Sequence, residues 1–244
     1  MPEFMAAAGD TARYVASSTG SVLTTFLPKA ILESPLTNFP ASFFKEKHEE
    51  VQSRRKVRET IVLQAGDEER FSVYKSLIRE RFARGFSVFL CLPTTRDTEN
   101  LMSSLDRGIK EYSFVFHGGL LKKNIISTWK NALLEKHPVL IVGTGTFLSI
   151  PRTDIGTVII EKEGSRFYKS NTRPYTDTRT FAEFLARRRG LELILGDTVL
   201  RVETLYKAEI GEYAELGSPL KFRSLWGGSY KIIDMRLPKI DQNL

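Results

Sequence analysis

The fold is predicted most clearly by residues 139–206, VLIVGTGTFLSIPRTDIGTVIIEKEGSRFYKSNTRPYTDTRTFAEFLARRRGLELILGDTVLRVETLY. This segment contains three short runs rich in Val, Ile and Leu, and stretches of helical period accompany the later ones. Each apolar run is continuous instead of alternating, which is typical of a strand buried on both faces of a parallel sheet. The segment therefore predicts a parallel sheet covered by helices.

The same alternation of strand and helix extends back to residue 60 and forward to the end of the chain. Repeated alternation of this kind predicts an α/β fold with right-handed crossovers and functional loops at the carboxyl ends of the strands. The predicted strands are 60–64, 87–93, 113–117, 139–144, 157–162, 191–196 and 231–235. The predicted helices are 68–84, 97–110, 121–136, 177–189 and 200–209.

Composition excludes several classes of protein. With 41% hydrophobic residues among 244, the chain has enough apolar side chains for a substantial core, unlike a disordered protein. The single Cys91 cannot close a disulfide framework or a cysteine-ligated zinc site. No run approaches the roughly 18 apolar residues of a membrane span, and the basic start of a signal peptide is missing. These features indicate a cytoplasmic protein, and the net charge of +7 suits an anionic partner.

The first 59 residues follow a different pattern. Residues 11–27 predict a helix followed by a short apolar element, and residues 28–44 predict a connector with three prolines. Residues 46–59, EKHEEVQSRRKVRE, are strongly charged, and a solvated helix face is one interpretation of such a run. The alternative is a phosphate-facing arm that uses Arg54, Arg55, Lys56 and Arg58.

Several short motifs allow two interpretations each. Gly143-Thr144-Gly145 begins like a dinucleotide fingerprint, but Leu148 replaces the third glycine and Pro151 leaves little room for the required helix. His117-Gly118-Gly119 permits a tight turn or a close approach to a phosphate. Glu161-Lys162-Glu163 ends a strand, where carboxylates can serve metal or proton chemistry or can simply be solvated. The three histidines are scattered, so no metal site is expected.

Taken in order, these segments resemble the first motor domain of the primosomal replication-restart helicase family, PriA, a family of superfamily 2 DNA translocases. Residues 139–206 are similar to the family's run from the Gly-Thr-Arg-Ser block, through the Asp-Glu-x-His box, to the Leu-Gly-Ser-Ala-Thr-Pro block. His117-Gly118-Gly119-Leu120 is similar to its His-Ser-Gly-Leu, and residues 232–236, IIDMR, to its Val-Val-Asp-Met-Arg. Residues 12–28 resemble the close of its winged-helix region.

The resemblance implies a RecA-like, P-loop NTPase-like domain over residues 60–244, with a parallel sheet and helices on both faces. It also implies that residues 1–59 are a short remnant of the winged-helix region and its linker. The family's cysteine-rich zinc insertion and second motor domain have no counterpart in this sequence, so the chain is expected to represent a truncated, degenerate first motor domain.

The phosphate-binding motif of the family is altered in this chain. Alignment of residues 62–74, VLQAGDEERFSVY, with Gly-x-x-x-x-Gly-Lys-Thr replaces the glycines with Gln64 and Glu69, the lysine with Arg70 and the threonine with Phe71. A phosphate cradle needs glycines that expose backbone N–H groups, a lysine for the phosphates and a hydroxyl for Mg²⁺. Residues 67–69 instead place three carboxylates there, so ATP is not expected to bind in the usual way.

Two further motor elements depart from the family in the same direction. In the acidic box, Glu161 replaces the metal-holding aspartate and Lys162 replaces the glutamate that orients the attacking water, which a charged lysine cannot do. Asp197-Thr198-Val199 replaces the Ser-Ala-Thr that couples hydrolysis to movement. Loss of three separate elements predicts a pseudoenzyme that retains none of the family's ATP, Mg²⁺ or Zn²⁺.

The resemblance also implies single-stranded or forked DNA, or a replication or repair protein, as the partner. Loops that match DNA-facing segments of the family supply the candidates, because Tyr can stack on a base and Lys or Arg can pair with phosphate. Packing of Tyr168 and Tyr175 against the sheet is the alternative role. The candidate DNA-binding residues are Thr98, His117, Gly119, Thr144, Tyr168, Lys169, Arg173 and Arg179.

Two other functions remain open from the sequence. One is an active ATP-dependent helicase or ATPase subunit in which another chain supplies the missing half. The other is a structural interaction module whose former nucleotide face has become a protein interface.

Overall fold

The computed structural model describes residues 2–35, 59–105 and 107–217, and seven parallel strands within these ranges form one sheet. The order across the sheet is β3-β4-β2-β5-β6-β1-β7. Helices cover both faces, so the predicted RecA-like α/β fold is confirmed. The strands are β1 Thr60–Gln64, β2 Ser87–Cys91, β3 Ser113–Phe116, β4 Leu140–Gly143, β5 Ile155–Glu161, β6 Glu192–Asp197 and β7 Ala214–Glu215.

Nine α-helices lie in the described ranges. The predicted helix over 97–110 is two helices, because α5 ends at Ser104 and a second short helix begins at Arg107. The helices are α1 Pro2–Tyr14, α2 Thr19–Phe26, α3 Lys29–Leu32, α4 Asp67–Ala83, α5 Thr95–Ser104, α6 Arg107–Lys110, α7 Lys122–Leu134, α8 Thr178–Arg189 and α9 Val202–Glu209. None of them is long and apolar enough to cross a membrane.

The central strands are apolar on both faces because each face has its own core. In β5, for example, Val158 and Ile160 join one cluster and Ile159 joins the other. Alternate residues of a strand point to opposite faces, so a strand between two cores must be continuously apolar. Helices α1, α2, α7, α8 and α9 cover the first face, and α4, α5 and α6 cover the second.

Helices α1 and α2 share the core of the sheet. The Phe26 ring of α2 stacks on Phe181 of α8 with ring centroids 3.9 Å apart, and Phe4 of α1 meets Phe181 edge-on at 5.4 Å. Asp10 of α1 also pairs with Arg188 of α8 at 2.6 Å. The N-terminal helices are therefore packed as part of the same core as the sheet.

The N-terminal helices begin earlier than the sequence pattern predicts. The chain is helical from Pro2 and turns at Ala16, which has a left-handed φ of 50°. Ser18 then caps α2 by accepting a hydrogen bond from the Ser21 amide at 3.1 Å. Most of the predicted connector over 28–44, nearly all of the charged run with Arg54, Arg55, Lys56 and Arg58, and the predicted strand over 231–235 lie outside the described residues.

Truncation of the Phe26 side chain tests whether the N-terminal helices and the sheet unfold together. We expect Phe26→Ala to lower the free energy of unfolding by about 3–5 kcal/mol, because it removes a buried ring from the shared core. The matched change Leu32→Ala, at an exposed position in α3, is expected to stay within about 0.5 kcal/mol. Urea unfolding followed by circular dichroism measures both. A separate early transition for Phe26→Ala, with the main transition unchanged, would contradict the shared core.

Candidate functional site

The three segments that correspond by resemblance to the motor motifs meet at one edge of the sheet. Strands β5, β6 and β1 are neighbours and parallel, so their carboxyl ends lie side by side. This edge brings together residues 64–67 after β1, 161–164 after β5 and 197–198 after β6. The sheet topology therefore creates a candidate site where the family places its nucleotide.

The loop between β1 and α4 is only two residues long. Strand β1 ends at Gln64 and α4 begins at Asp67, which leaves Ala65 and Gly66 between them. The Arg70 amide already donates a helical hydrogen bond to the Gly66 carbonyl at 2.9 Å. This two-residue turn is shorter than the four-residue loop that separates the glycines of the Gly-x-x-x-x-Gly-Lys-Thr motif, so the long phosphate-wrapping loop of that motif is not formed here.

The side chain of Arg70 is completely buried and uses all five of its N–H donors. The Nε group donates to Glu161 at 2.9 Å, and Nη2 donates to both Glu161 and Asp67. The Nη1 group donates to the Ala65 carbonyl at 2.5 Å and to the Thr198 hydroxyl at 3.2 Å. No donor of this guanidinium is left for a phosphate oxygen.

Glu161 is the buried counter-ion at the centre of this arrangement. Its carboxylate also accepts a hydrogen bond from the Tyr74 hydroxyl at 2.7 Å. Burial, followed by the charge of Glu161, raises the pKa of Tyr74 well above its usual value. Burial lowers the pKa of Arg70, but the hydrogen bond and charge of Glu161 more than offset this, so the pKa is raised. Arg70 therefore remains charged and Tyr74 remains a neutral donor.

Gly196 in β6 makes room for this arrangement. A Cβ at this position would lie 1.8 Å from the Tyr74 hydroxyl oxygen and 3.3 Å from Cδ of Arg70. Any side chain at Gly196 would push Tyr74 away from Glu161. The glycine is thus required for the close approach of α4 to the sheet.

Lys162 is turned away from Glu161 toward α5. Its ammonium group lies 2.6 Å from Asp97, which also accepts from Thr94 at 2.5 Å. The hydrogen bond to Asp97 is the main reason that the pKa of Lys162 is raised. A cation held in this way cannot act as a base toward water.

The other acidic groups of this edge hold the loops in place. Buried Glu163 accepts from the Arg201 backbone and guanidinium and from the Thr204 hydroxyl, which fixes the start of α9. Asp197 accepts from the Gly164 amide at 2.8 Å. Within the described ranges, no group of three or more His, Cys, Asp or Glu side chains could hold a metal ion.

The partial fingerprint match at Gly143-Thr144-Gly145 is not followed by an α-helix. A five-residue 3₁₀ segment, Gly145–Ser149, occupies the position instead. A Cβ at Gly145 would lie 2.5 Å from the Thr178 side chain, so this glycine permits a close approach of α8. The dinucleotide interpretation therefore fails, because the helix N-terminus that it needs is not formed.

Four of the predicted DNA-binding residues are buried: Thr98, His117, Tyr168 and Arg179. The Tyr168 hydroxyl donates to the carbonyls of Glu161 at 2.6 Å and Cys91 at 2.9 Å. Arg179 donates to Asp177 at 2.6 Å and to the carbonyl of Glu163. Side chains with these contacts have little surface to offer to a nucleic acid, and the burial of Tyr168 agrees with the packing alternative.

The other predicted DNA-binding residues lie at the same sheet edge but in two places. Lys169 and Arg173 are exposed on the loop after β5, whereas Gly119 is exposed after β3 and Thr144 is half-buried after β4. His117, the fourth buried residue, has its Nε2 3.9 Å from a carboxylate oxygen of Glu99. The two exposed cations of the predicted set, Lys169 and Arg173, therefore lie on the same loop after β5.

The loop over residues 164–177, which we term the β5 loop, also exposes two aromatic rings that sequence reasoning did not assign to DNA. Phe167 is 63% exposed and Tyr175 is 54% exposed. Arg166 lies over the Phe167 ring at 5.3 Å. Both aromatic residues have cations nearby in the sequence, which is a pattern typical of nucleic-acid contact. Tyr168 has the same neighbours but is buried, so the pattern alone does not identify the exposed rings.

Comparison with known proteins identifies relatives of one kind. The chain is 26% identical to replication restart protein PriA of Synechocystis over 171 residues, which are 67% of this chain and 20% of that protein. It is 21% identical to PriA of Rickettsia conorii over 243 residues, which are 94% of this chain and 37% of that protein. The chain thus spans well under half of these relatives. No protein-family model matches it.

Comparison with solved structures returns helicases at low similarity. The DUF1998 helicase MrfA gives a TM-score of 0.48 at 13% identity, covering 77% of this chain and 33% of that one. The UvsW helicase of bacteriophage T4 gives 0.43 at 14% identity, covering 66% and 55%. The resemblance to PriA inferred from the sequence is confirmed by the curated relatives, to which this chain is similar.

Removal of one partner from the buried ion pair tests its role. We expect Arg70→Met to lower the free energy of unfolding by about 3–5 kcal/mol, because it leaves the Glu161 charge buried without a counter-ion. In Arg70→Met/Glu161→Gln the charge is gone while an oxygen remains for Tyr74, so most of this loss is expected to be recovered. Chemical denaturation of the three chains measures the effect. Equal loss in the single and double variants would show that the buried charge is not its source.

Proposed function

We propose that this PriA-like, helicase-related chain binds single-stranded or forked DNA without binding or hydrolysing ATP. The observation that carries the first half of the proposal is the buried Arg70–Glu161 pair, which fills the place of the phosphates with groups of the chain itself. The exposed cations and aromatic rings of the β5 loop carry the second half. The whole relatives are at least two and a half times longer, so the proposal concerns only the activity of this chain.

Binding of a phosphate at this edge would require Arg70 to release Glu161. That would leave a carboxylate buried without its partner, at a cost of about 3–5 kcal/mol. Since about 1.4 kcal/mol corresponds to a tenfold change in affinity, the penalty is roughly a hundredfold to several thousandfold. Asp67, Glu68 and Glu69 are exposed in the first turn of α4 and add repulsion. The residues present therefore do not fit a triphosphate.

The same edge does not fit the Mg²⁺ that the family uses. The oxygens of Glu161 accept from Arg70 and Tyr74, and Asp67 accepts from Arg70. A cysteine-ligated Zn²⁺ site does not fit either, because Cys91 is the only cysteine in the sequence and its thiol is buried, which raises its pKa. We therefore propose that the chain retains none of these cofactors.

The β5 loop has the two features that sequence-independent binding of single strands requires. Arg166, Lys169 and Arg173 are exposed and can contact phosphates, and the exposed rings of Phe167 and Tyr175 can stack on bases. Such contacts do not require a base sequence. They match the anionic partner that the net charge of +7 favours.

The buried residues of the β5 loop keep these groups in position. Tyr168 ties the start of the loop to the ends of β2 and β5, and Arg179 ties α8 to the backbone of Glu163 and Ser165. A backbone hydrogen bond from Ser170 to Thr176 at 2.8 Å closes the loop. The exposed groups are thus presented on an ordered platform.

Titration with ATP and Mg²⁺ tests the first half of the proposal. Isothermal calorimetry of the full chain is expected to show no binding with a Kd below about 1 mM, because Arg70 is committed to Glu161. The same titration in the presence of single-stranded DNA is also expected to show no heat of ATP binding. DNA-stimulated release of phosphate would contradict the proposal and would favour an active ATPase.

Charge reversal on the β5 loop tests the second half. We expect Lys169→Glu/Arg173→Glu to weaken binding of labelled single-stranded DNA at least tenfold at low salt, measured by fluorescence anisotropy. The matched control Lys110→Glu/Lys136→Glu makes the same change in net charge at exposed positions before β3 and β4, at the opposite sheet edge. An equal loss in both variants would indicate a general charge effect, and no loss in the first would reject the loop.

A further inference from the structure

Helix α9 carries an apolar stripe on its solvent side. Val202 is 79% exposed, Tyr206 is 60% exposed and Ile210, just after the helix, is 55% exposed. Residues four apart lie on the same face of a helix, so these three side chains are contiguous. Val199, which is 61% exposed, lies shortly before the helix. We term these four residues the α9 stripe.

The α9 stripe is not the face that anchors the helix. Thr204 and Ala208 are buried against the sheet, and Leu205 packs against the core. No residue in the described ranges covers the opposite face, where the stripe lies. Large exposed apolar patches of this kind usually mark interaction sites on soluble proteins.

The charges beside the α9 stripe are acidic. At about 100° per residue, Glu203 and Glu209 flank the stripe on its two sides, and both are exposed. The two cations of the segment are directed elsewhere, with Arg201 at 2.7 Å from Glu163 and Lys207 at 3.1 Å from Glu183. A complementary partner must therefore combine apolar side chains with positive charge.

Residues 218–244 of this chain have that chemistry. The segment contains five Lys and Arg, at 221, 223, 231, 236 and 239, against two Asp, at 234 and 241. Its apolar side chains include Phe222, Trp226, Ile232 and Ile233. It follows Gly217, two residues after β7 and eight after α9. Its 27 residues are ample, because α9 is only about 12 Å long at 1.5 Å per residue.

A second copy of the chain fits the α9 stripe less well. Two stripes packed about a two-fold axis would bring Glu203 and Glu209 of one copy against the same carboxylates of the other. Like charges in direct apposition oppose such a contact. The covalent connection also gives residues 218–244 an effective concentration that a second molecule lacks.

We infer that the α9 stripe is the docking surface for residues 218–244 of the same chain. Apolar side chains of that segment cover Val202, Tyr206 and Ile210, and its cations face Glu203 and Glu209. This inference does not depend on the proposed DNA binding or on the proposed absence of ATP binding.

Limited trypsin digestion of the full chain tests this contact, because the five cations of the segment are cleavage sites. We expect slow cleavage at these sites in the natural sequence and at least tenfold faster cleavage in Val202→Ser/Tyr206→Ser. The variant changes only exposed side chains, so its circular dichroism spectrum is expected to be unchanged. The variant Glu203→Gln/Glu209→Gln is expected to give an intermediate rate. Cleavage products are identified by mass spectrometry.

The matched control Leu121→Ser/Leu134→Ser removes two exposed apolar side chains at the two ends of α7. Its cleavage rate over residues 218–244 is expected to equal that of the natural sequence. Equal rates in the natural sequence and in Val202→Ser/Tyr206→Ser would overturn the inference. So would a dimer in sedimentation that becomes a monomer in that variant, because the stripe would then bind a second copy.

Discussion

The ion pair between Arg70 and Glu161 connects α4 to the centre of the sheet and lies entirely out of solvent. A buried charge is costly unless its partner and its hydrogen bonds are complete. Both conditions are met here, since five donors of Arg70 and the hydroxyl of Tyr74 find acceptors around Glu161. The geometry of the whole carboxyl edge follows from satisfying this pair, including the short β1–α4 turn and the need for glycine at position 196.

The sequence was sufficient to predict the sheet but not this pair. Six strands were predicted within two residues of their observed ends because two cores impose continuous apolar runs, which are visible in a single sequence. Strand β7 has only two residues and no continuous apolar run, so the sequence pattern did not predict it. Arg70 and Glu161 are 91 residues apart, and only the adjacency of β1, β6 and β5 brings them together. The resemblance implied that neither residue suits a motor, but it did not indicate that the two residues are partners.

The sequence left the role of Tyr168 open between DNA contact and packing, and it did not indicate that Arg179 is buried, for a related reason. Tyr, Lys and Arg on a loop predict nucleic-acid contact when they are exposed, and exposure depends on whether the chain supplies acceptors nearby. The acceptors of Tyr168 are backbone carbonyls at the ends of β2 and β5, and those of Arg179 include the carbonyl of Glu163. Every residue has a backbone carbonyl, so the sequence does not indicate which carbonyls will accept these hydrogen bonds. Phe167 and Tyr175, without comparable anchors, are the rings that remain exposed.

The buried pair and the β5 loop are connected through the end of β5. Glu161 gives its carboxylate to Arg70 and Tyr74, while its carbonyl accepts from Tyr168, the residue that anchors the loop. Two residues later, the Glu163 carboxylate fixes the start of α9 and its carbonyl accepts from Arg179. These intrachain contacts position both ends of the loop. The same strand end therefore serves both the buried pair and the loop, so the proposed absence of ATP binding is physically compatible with an ordered basic, aromatic loop in one domain.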